Sequence, residues 1–237
     1  KIHRLETSMI SVVKRNGVVE PLNLDKLHRM VEFACDGLAG VSESAIEMNS
    51  NLQFYEHIMT SDIQEILIKS ANDLITLEQP NYQYVAARLL LFSYRKSVYK
   101  GHPDNPPPLI EHVKECIAKG VYDPDLIKQY SEEEWSELHD FIDWDRDYLF
   151  TYAGLRQVVD KYLVQDRSTG EVFETPQQMY MLIAATLFQN YPIESRIDYV
   201  KRYYNAISKH RINIPTPVMA GVRTPIRQFA SCVLVDI

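Results

Sequence analysis

Apolar positions along this chain recur mostly at helical spacing, and two short stretches read instead as hairpins. The first, Met9–Lys26, opens with Ile10, Val12 and Val13 and resumes with Val18 and Val19. Asn16-Gly17 between them is a strong hairpin signal, because both central residues of a type I′ turn need φ > 0. Asn23 then precedes a periodic run, as a helix N-cap should. Leu24, Leu27, Val31, Ala34, Cys35 and Leu38 fall on one face of that helix, and Gly37 and Gly40 end it. A second helix runs from Ser42 to about Tyr55. A third opens at Thr60-Ser61-Asp62, with Thr60 or Ser61 as N-cap and a Ser61–Gln64 capping box. It turns Ile63, Ile66, Leu67, Ala71, Leu74 and Ile75 inward. A fourth starts at Pro80 and carries Tyr84, Ala87, Arg88, Leu91, Phe92, Arg95 and Lys96 at helical spacing.

His102–Pro108, HPDNPPP, supports neither a helix nor a central strand and reads as a domain boundary. Beyond it the pattern predicts helices over Leu109–Lys119, from Ser131 to about Trp144, over Tyr152–Leu163, from Thr175-Pro176, and from Pro192 to near Lys209. The second hairpin, Leu163–Glu174, turns at Ser168-Thr169-Gly170. From Arg211 the chain reads as extended and proline-punctuated, ending in a β-run at Ser231–Val235. The expected domains are therefore 5–100, 101–210 and 211–237. An unpaired apolar strand is a poor place for a domain to stop, so the chain reads as the N-terminal piece of a longer protein.

Composition narrows the class. The chain has 237 residues, 46% hydrophobic and 24% charged, as globular domains have. Its net charge of −7 argues against a general nucleic-acid surface, so any polyanion site is local. No apolar run approaches the roughly 18 residues of a membrane span, and the first residues lack a signal-peptide core. Cys35, Cys116 and Cys232 are far apart, without zinc spacing, which fits a reducing cytoplasm. Glu132-Glu133-Glu134 reads as a first helical turn complementing its own dipole rather than as a metal cluster. Lys14 and Arg15 beside a helix N-terminus suit phosphates, although on these residues alone a solvated surface hairpin is the commoner outcome.

The pieces together resemble a known family. Val13–Gly17, Asn23–Lys26, Thr60–Ile63 and Tyr82–Leu89 resemble an ATP-cone, an adenine-nucleotide regulatory domain. Pro215-Thr216-Pro217, Gly221–Pro225 and Gln228–Leu234 are similar to the first barrel strand of the class I ribonucleotide reductase large subunit, with the bacterial class Ia enzyme as the nearest likeness. The fold implied is mainly α: a β-hairpin plus four-helix cone, a helical domain, then the first strand of an α/β barrel. The resemblance implies that Lys14 and Arg15 meet nucleotide phosphates, with Lys26 and Lys96 adding charge. Glu20, Pro21, Leu22, Asn23, Leu24 and Asp25 would frame base and sugar, Glu20 accepting from the adenine amino group. Thr60 would bond the nucleotide, and Leu22 and Leu27 would pack on the base. Some relatives carry His where this chain has Gln64 and Ser93.

It further implies ATP as activator and dATP as inhibitor, with or without Mg. Cys232 would be one of two redox thiols, and Thr216 and Ser231 substrate contacts. A small (beta) subunit would supply the radical, thioredoxin or glutaredoxin the electrons, and a second large subunit a homodimer. No metal, nucleic acid or membrane is expected, the location is cytoplasmic, and the other catalytic groups lie downstream, so this chain alone would not turn over. The alternatives are a nucleotide-sensing cone regulator without catalysis and a structural helical adaptor; the adaptor leaves the Cys232 segment unexplained.

Overall fold

Strand β1 (Ser11–Val13) is the centre of a small three-stranded sheet. It pairs antiparallel with β2 (Val19–Pro21), Val13 opposite Val19, and parallel with β3 (Ile58–Met59), Val13 opposite Met59. The computed structural model describes residues 10–232 and 234. Met9 and the expected domain start at residue 5 lie outside them, as do Val233 and Val235 of the expected C-terminal strand.

The β1–β2 turn differs in type from the one expected. Gly17 has φ +80°, but Asn16 does not share a positive φ. The Gly17 N–H donates to the Lys14 carbonyl at 2.8 Å, and the Lys14 N–H donates to the Val18 carbonyl at 2.8 Å. This is the three-residue hairpin with glycine in the left-handed bulge position. Asn16 contributes by accepting from the Val18 N–H at 3.2 Å.

The chain packs as two compact units that divide after Ser93, ahead of His102–Pro108, with residues 150–153 belonging to the first. The first holds the sheet and α1 (Leu24–Cys35), α2 (Glu43–Asn51) and α3 (Thr60–Asp73), with most of α4 (Tyr82–Val98). Asn23 caps α1, its Oδ1 accepting from the Lys26 N–H at 2.9 Å, and Ser42 caps α2 in the same way. Leu27, Val31, Ala34 and Cys35 are buried on α1, while Leu24 is 58% exposed and leaves the predicted apolar face. α3 departs from its expected cap. Met59 stands at N-cap, Thr60 is the first helical residue, and no side chain caps the end. α4 is buried on most sides, including Tyr82, Val85, Leu89 and Leu91.

The second unit contains α5 (Leu109–Ala118), α6 (Glu132–Phe141), most of α7 (Tyr152–Lys161), α8 (Pro176–Phe188) and α9 (Ile193–Ser208). β4 (Gln165–Asp166) and β5 (Glu171–Val172) form the second hairpin. The run Pro176–Ala185 is buried throughout, so α8 is a central helix with α9 packed along it. Ser131 and Glu134 make a full capping box on α6. A helix α10 (Thr216–Gly221) occupies part of the tail expected to be extended. Pro215 and Pro217 do not prevent this, because they fall at N-cap and in the first turn, where no intrahelical N–H bond is lost. Among the described residues from 222 to 232 there is no strand, and of the expected β-run Ser231–Val235 only Ser231, Cys232 and Leu234 are described.

Candidate functional site

The sheet register sets the geometry. Because Val13 pairs antiparallel with Val19 and parallel with Met59, Lys14 stands beside Thr60 at the end of β3 and faces Val18 across the hairpin, with Glu20 opposite Val12. β1 therefore delivers Lys14 to the start of α3, and that start is uncapped. The first N–H groups of a helix lack intrahelical partners and carry the positive end of its dipole, so an anion is favoured there. Ser61 does not cap it, its hydroxyl instead meeting the Asp62 carboxylate at 3.4 Å.

Lys14 Nζ lies 2.7 Å from Glu20 Oε2, with both side chains about half exposed, at 44% and 40%. Arg15 sits at the turn and is exposed; Lys26 is exposed in the first turn of α1. Neither has an ion-pair partner among the described residues. Pro21, Asn23, Leu24 and Asp25 are exposed and Leu22 is partly so. The Leu22 N–H is committed to the Ile10 carbonyl at 2.8 Å, and the Asn23 carbonyl side-chain oxygen to its cap. That leaves the Asn23 amide NH₂ for a ligand. Leu27 is only 5% exposed and belongs to the core, so it has little surface to offer a base.

Gln64 does not point freely at this mouth. Its Nε2 donates to the Leu89 carbonyl of α4 at 2.9 Å, one helical turn before Ser93. The two positions where some relatives carry His thus stand on neighbouring turns of packed helices. Lys96 lies in the last turn of α4, past the division between the units, and is described with the second one.

The C-terminal candidates are more dispersed. Thr216 opens α10 and its side chain hydrogen-bonds the Tyr162 hydroxyl, which pulls that phenol's pKa down. Ser231 and Cys232 are exposed neighbours, Oγ to Sγ 3.9 Å. No hydrogen bond among the described residues joins Thr216 to either. Cys35 and Cys116 are buried, and burial pushes their thiols up to about 11 and about 12.

Arg223, in the Gly221–Pro225 segment, carries no role that its sequence neighbours signal. Arg223 is fully buried against Glu174, with Nε 3.0 and 2.8 Å from the two carboxylate oxygens and a further contact from Nη2. Its other donors reach the Met219 and Tyr162 carbonyls. Tyr122 donates to the same carboxylate, as does the Val164 N–H at 2.8 Å. This arginine is structural. Among the described residues no group of three or more His, Cys, Asp and Glu side chains could hold a metal ion, and no helix is long and apolar enough to cross a membrane.

Residues 10–97 match the ATP cone domain, and residues 148–227 match the ribonucleotide reductase all-alpha domain. The ribonucleoside-diphosphate reductase subunit alpha of Haemophilus influenzae is 52% identical over 227 residues, covering 96% of this chain and 30% of that protein. Subunit alpha of reductase 1 from Escherichia coli is 51% identical over 225 residues, covering 95% of this chain and 29% of its own length. The subunit alpha of Enterobacteria phage T4 is 42% identical over 230 residues, covering 96% and 30%. This chain spans about 30% of the length of these curated relatives. It belongs to the ribonucleotide reductase large-subunit family, and carries that family's ATP cone domain followed by its all-alpha domain.

Proposed function

We propose that residues 10–97 bind ATP as an activator and dATP as an inhibitor of a ribonucleoside-diphosphate reductase, with the phosphates at Lys14, Arg15, Lys26 and the first turn of α3. The observation that carries this reading is the uncapped start of α3 next to Lys14 in the sheet register. Three exposed or half-exposed cations on one hairpin and the following helix supply charge for a triphosphate. Lys96 is a fourth cation in the same proposal. Glu20, Asn23 and Thr60 bond base and sugar, with Pro21, Leu22, Leu24 and Asp25 around them. ATP and dATP differ only at the 2′-hydroxyl, so regulation requires that the two ligands favour different states of the assembly.

In the whole protein Cys232 and a second cysteine reduce the ribose and become a disulfide, two thiols giving two electrons and two protons. Thr216 and Ser231 hold the substrate. A small subunit provides the radical, a second large subunit completes the dimer, and thioredoxin or glutaredoxin reduces the disulfide in the cytoplasm. In the full-length protein Cys232→Ser abolishes turnover with dithiol reductants, and dATP drives the two subunits into a larger, inhibited complex that ATP reverses.

Calorimetry on this chain tests the cone reading. ATP and dATP bind in the micromolar range, and Lys14→Ala and Lys96→Ala each weaken binding about 10- to 100-fold, as loss of a charged hydrogen bond does. A chain that binds neither nucleotide while folded overturns the proposal.

A further inference from the structure

The Lys14–Glu20 pair has a consequence for selectivity that rests on the nucleotide reading above. Lys14 faces Val18 across the hairpin, so Glu20 is its diagonal neighbour on the same face of the ladder. At 2.7 Å the ammonium and carboxylate form a close ion pair. Arg15 and Lys26 lack such a partner among the described residues, so within this group Glu20 neutralises Lys14 alone.

We propose that Glu20 is a placeholder for phosphate on Lys14, and that the exchange makes the cone demand both ends of its ligand at once. A phosphate that takes Lys14 displaces the Glu20 carboxylate. The freed carboxylate can only accept hydrogen bonds. Adenine offers it the N6 amino donor, whereas guanine presents the O6 acceptor at the equivalent position. A nucleotide with adenine therefore satisfies both members of the broken pair. Inorganic triphosphate leaves Glu20 unpaired beside like charge, and adenosine has nothing with which to replace Glu20 on Lys14. Glu20 is thereby a specificity-determining residue acting partly through Lys14.

Calorimetry with inorganic triphosphate, adenosine, ATP and GTP on the whole chain tests this, using wild type, Glu20→Gln, Lys14→Ala and the double variant. Both side chains are half exposed, and far-UV circular dichroism verifies that each variant is folded. Glu20→Gln removes the placeholder, so triphosphate binds about two- to fivefold tighter, the range of an exposed ion pair. Its preference for ATP over GTP also collapses, since an amide serves either base. In the Lys14→Ala background the gain for triphosphate disappears. A gain that persists there reflects only a lost negative charge and overturns the exchange. An unchanged triphosphate affinity in Glu20→Gln overturns it too, while ATP binding to wild type leaves the cone reading standing. If wild type binds neither ATP nor triphosphate, the nucleotide reading fails and the exchange with it.

Discussion

Arg223 and Glu174 stand 49 positions apart in sequence and meet with both side chains wholly shut off from solvent. Such a pair gains little over apolar packing, but removing one partner leaves a charge buried alone. Arg223→Met and Glu174→Gln are each expected to destabilise the second unit by about 3–5 kcal/mol. Both tryptophans, Trp135 and Trp144, lie in that unit, so urea titration followed by their fluorescence reads it selectively. A loss below about 1 kcal/mol, the scale of a surface pair, contradicts this.

Two buried groups in the same unit titrate in opposite senses. Burial pulls His112 down to about 4 from 6.5, so its contribution is complete above pH 6.5 and is lost as pH falls toward 4. Burial pushes Asp147 up to about 6 from 3.8, against the pull of Arg95, so its contribution is complete below 3.8 and is lost as pH rises through 6. Between pH 4 and 6 they offset. Relative to wild type, His112→Gln gains stability on acidification and Asp147→Asn loses it, each by on the order of 3 kcal/mol. Parallel pH profiles for all three proteins would refute the assignment.

Thiol reactivity should be sharply unequal. Cys35 and Cys116 are buried with raised pKa values, and Cys232 is exposed. The thiolate is the reactive form. One thiol reacts with an aromatic disulfide reagent at pH 8 in the folded chain, mapped by mass spectrometry to Cys232, and the other two react only after unfolding. Rapid native labelling of Cys116 would contradict the described packing.

Gly17 is required by the turn. Its φ of +80° suits glycine, and a Cβ there meets no atom within 4 Å. The cost of Gly17→Ala is thus conformational, about 1 kcal/mol. Asn16 has no such requirement, so Asn16→Ala loses only the bond to Val18 and costs less. Thermal unfolding of the two variants, compared by circular dichroism, measures the order; the reverse order would restore the two-residue turn.

Local signals were legible in the sequence and distant pairings were not. The caps at Asn23 and Ser131 and the helix from Thr175-Pro176 depend on residues within four positions, and all form. Asn16-Gly17 identified a hairpin but not its type, because one glycine at positive φ serves several turns. β3 escaped notice: two residues, Ile58 and Met59, have no periodicity, and only β1 makes them a strand. Without it the cap of α3 was misplaced by one or two residues. α10 was obscured by its prolines. Nothing local to Glu174 or Arg223 signals that the two side chains pair. At the candidate site the cations were legible as types, but the Lys14–Glu20 contact needed the register.

The most direct test of the nucleotide site is amide hydrogen exchange of this chain with and without saturating ATP. Ligand contacts and a filled helix N-terminus slow exchange locally, while distant segments keep their rates. The account predicts protection at Lys14–Gly17, around Val19–Asn23, and at Thr60–Asp62 in the first turn of α3, with α8 unchanged. Binding that leaves those three segments unprotected, or that protects only the second unit, would contradict it.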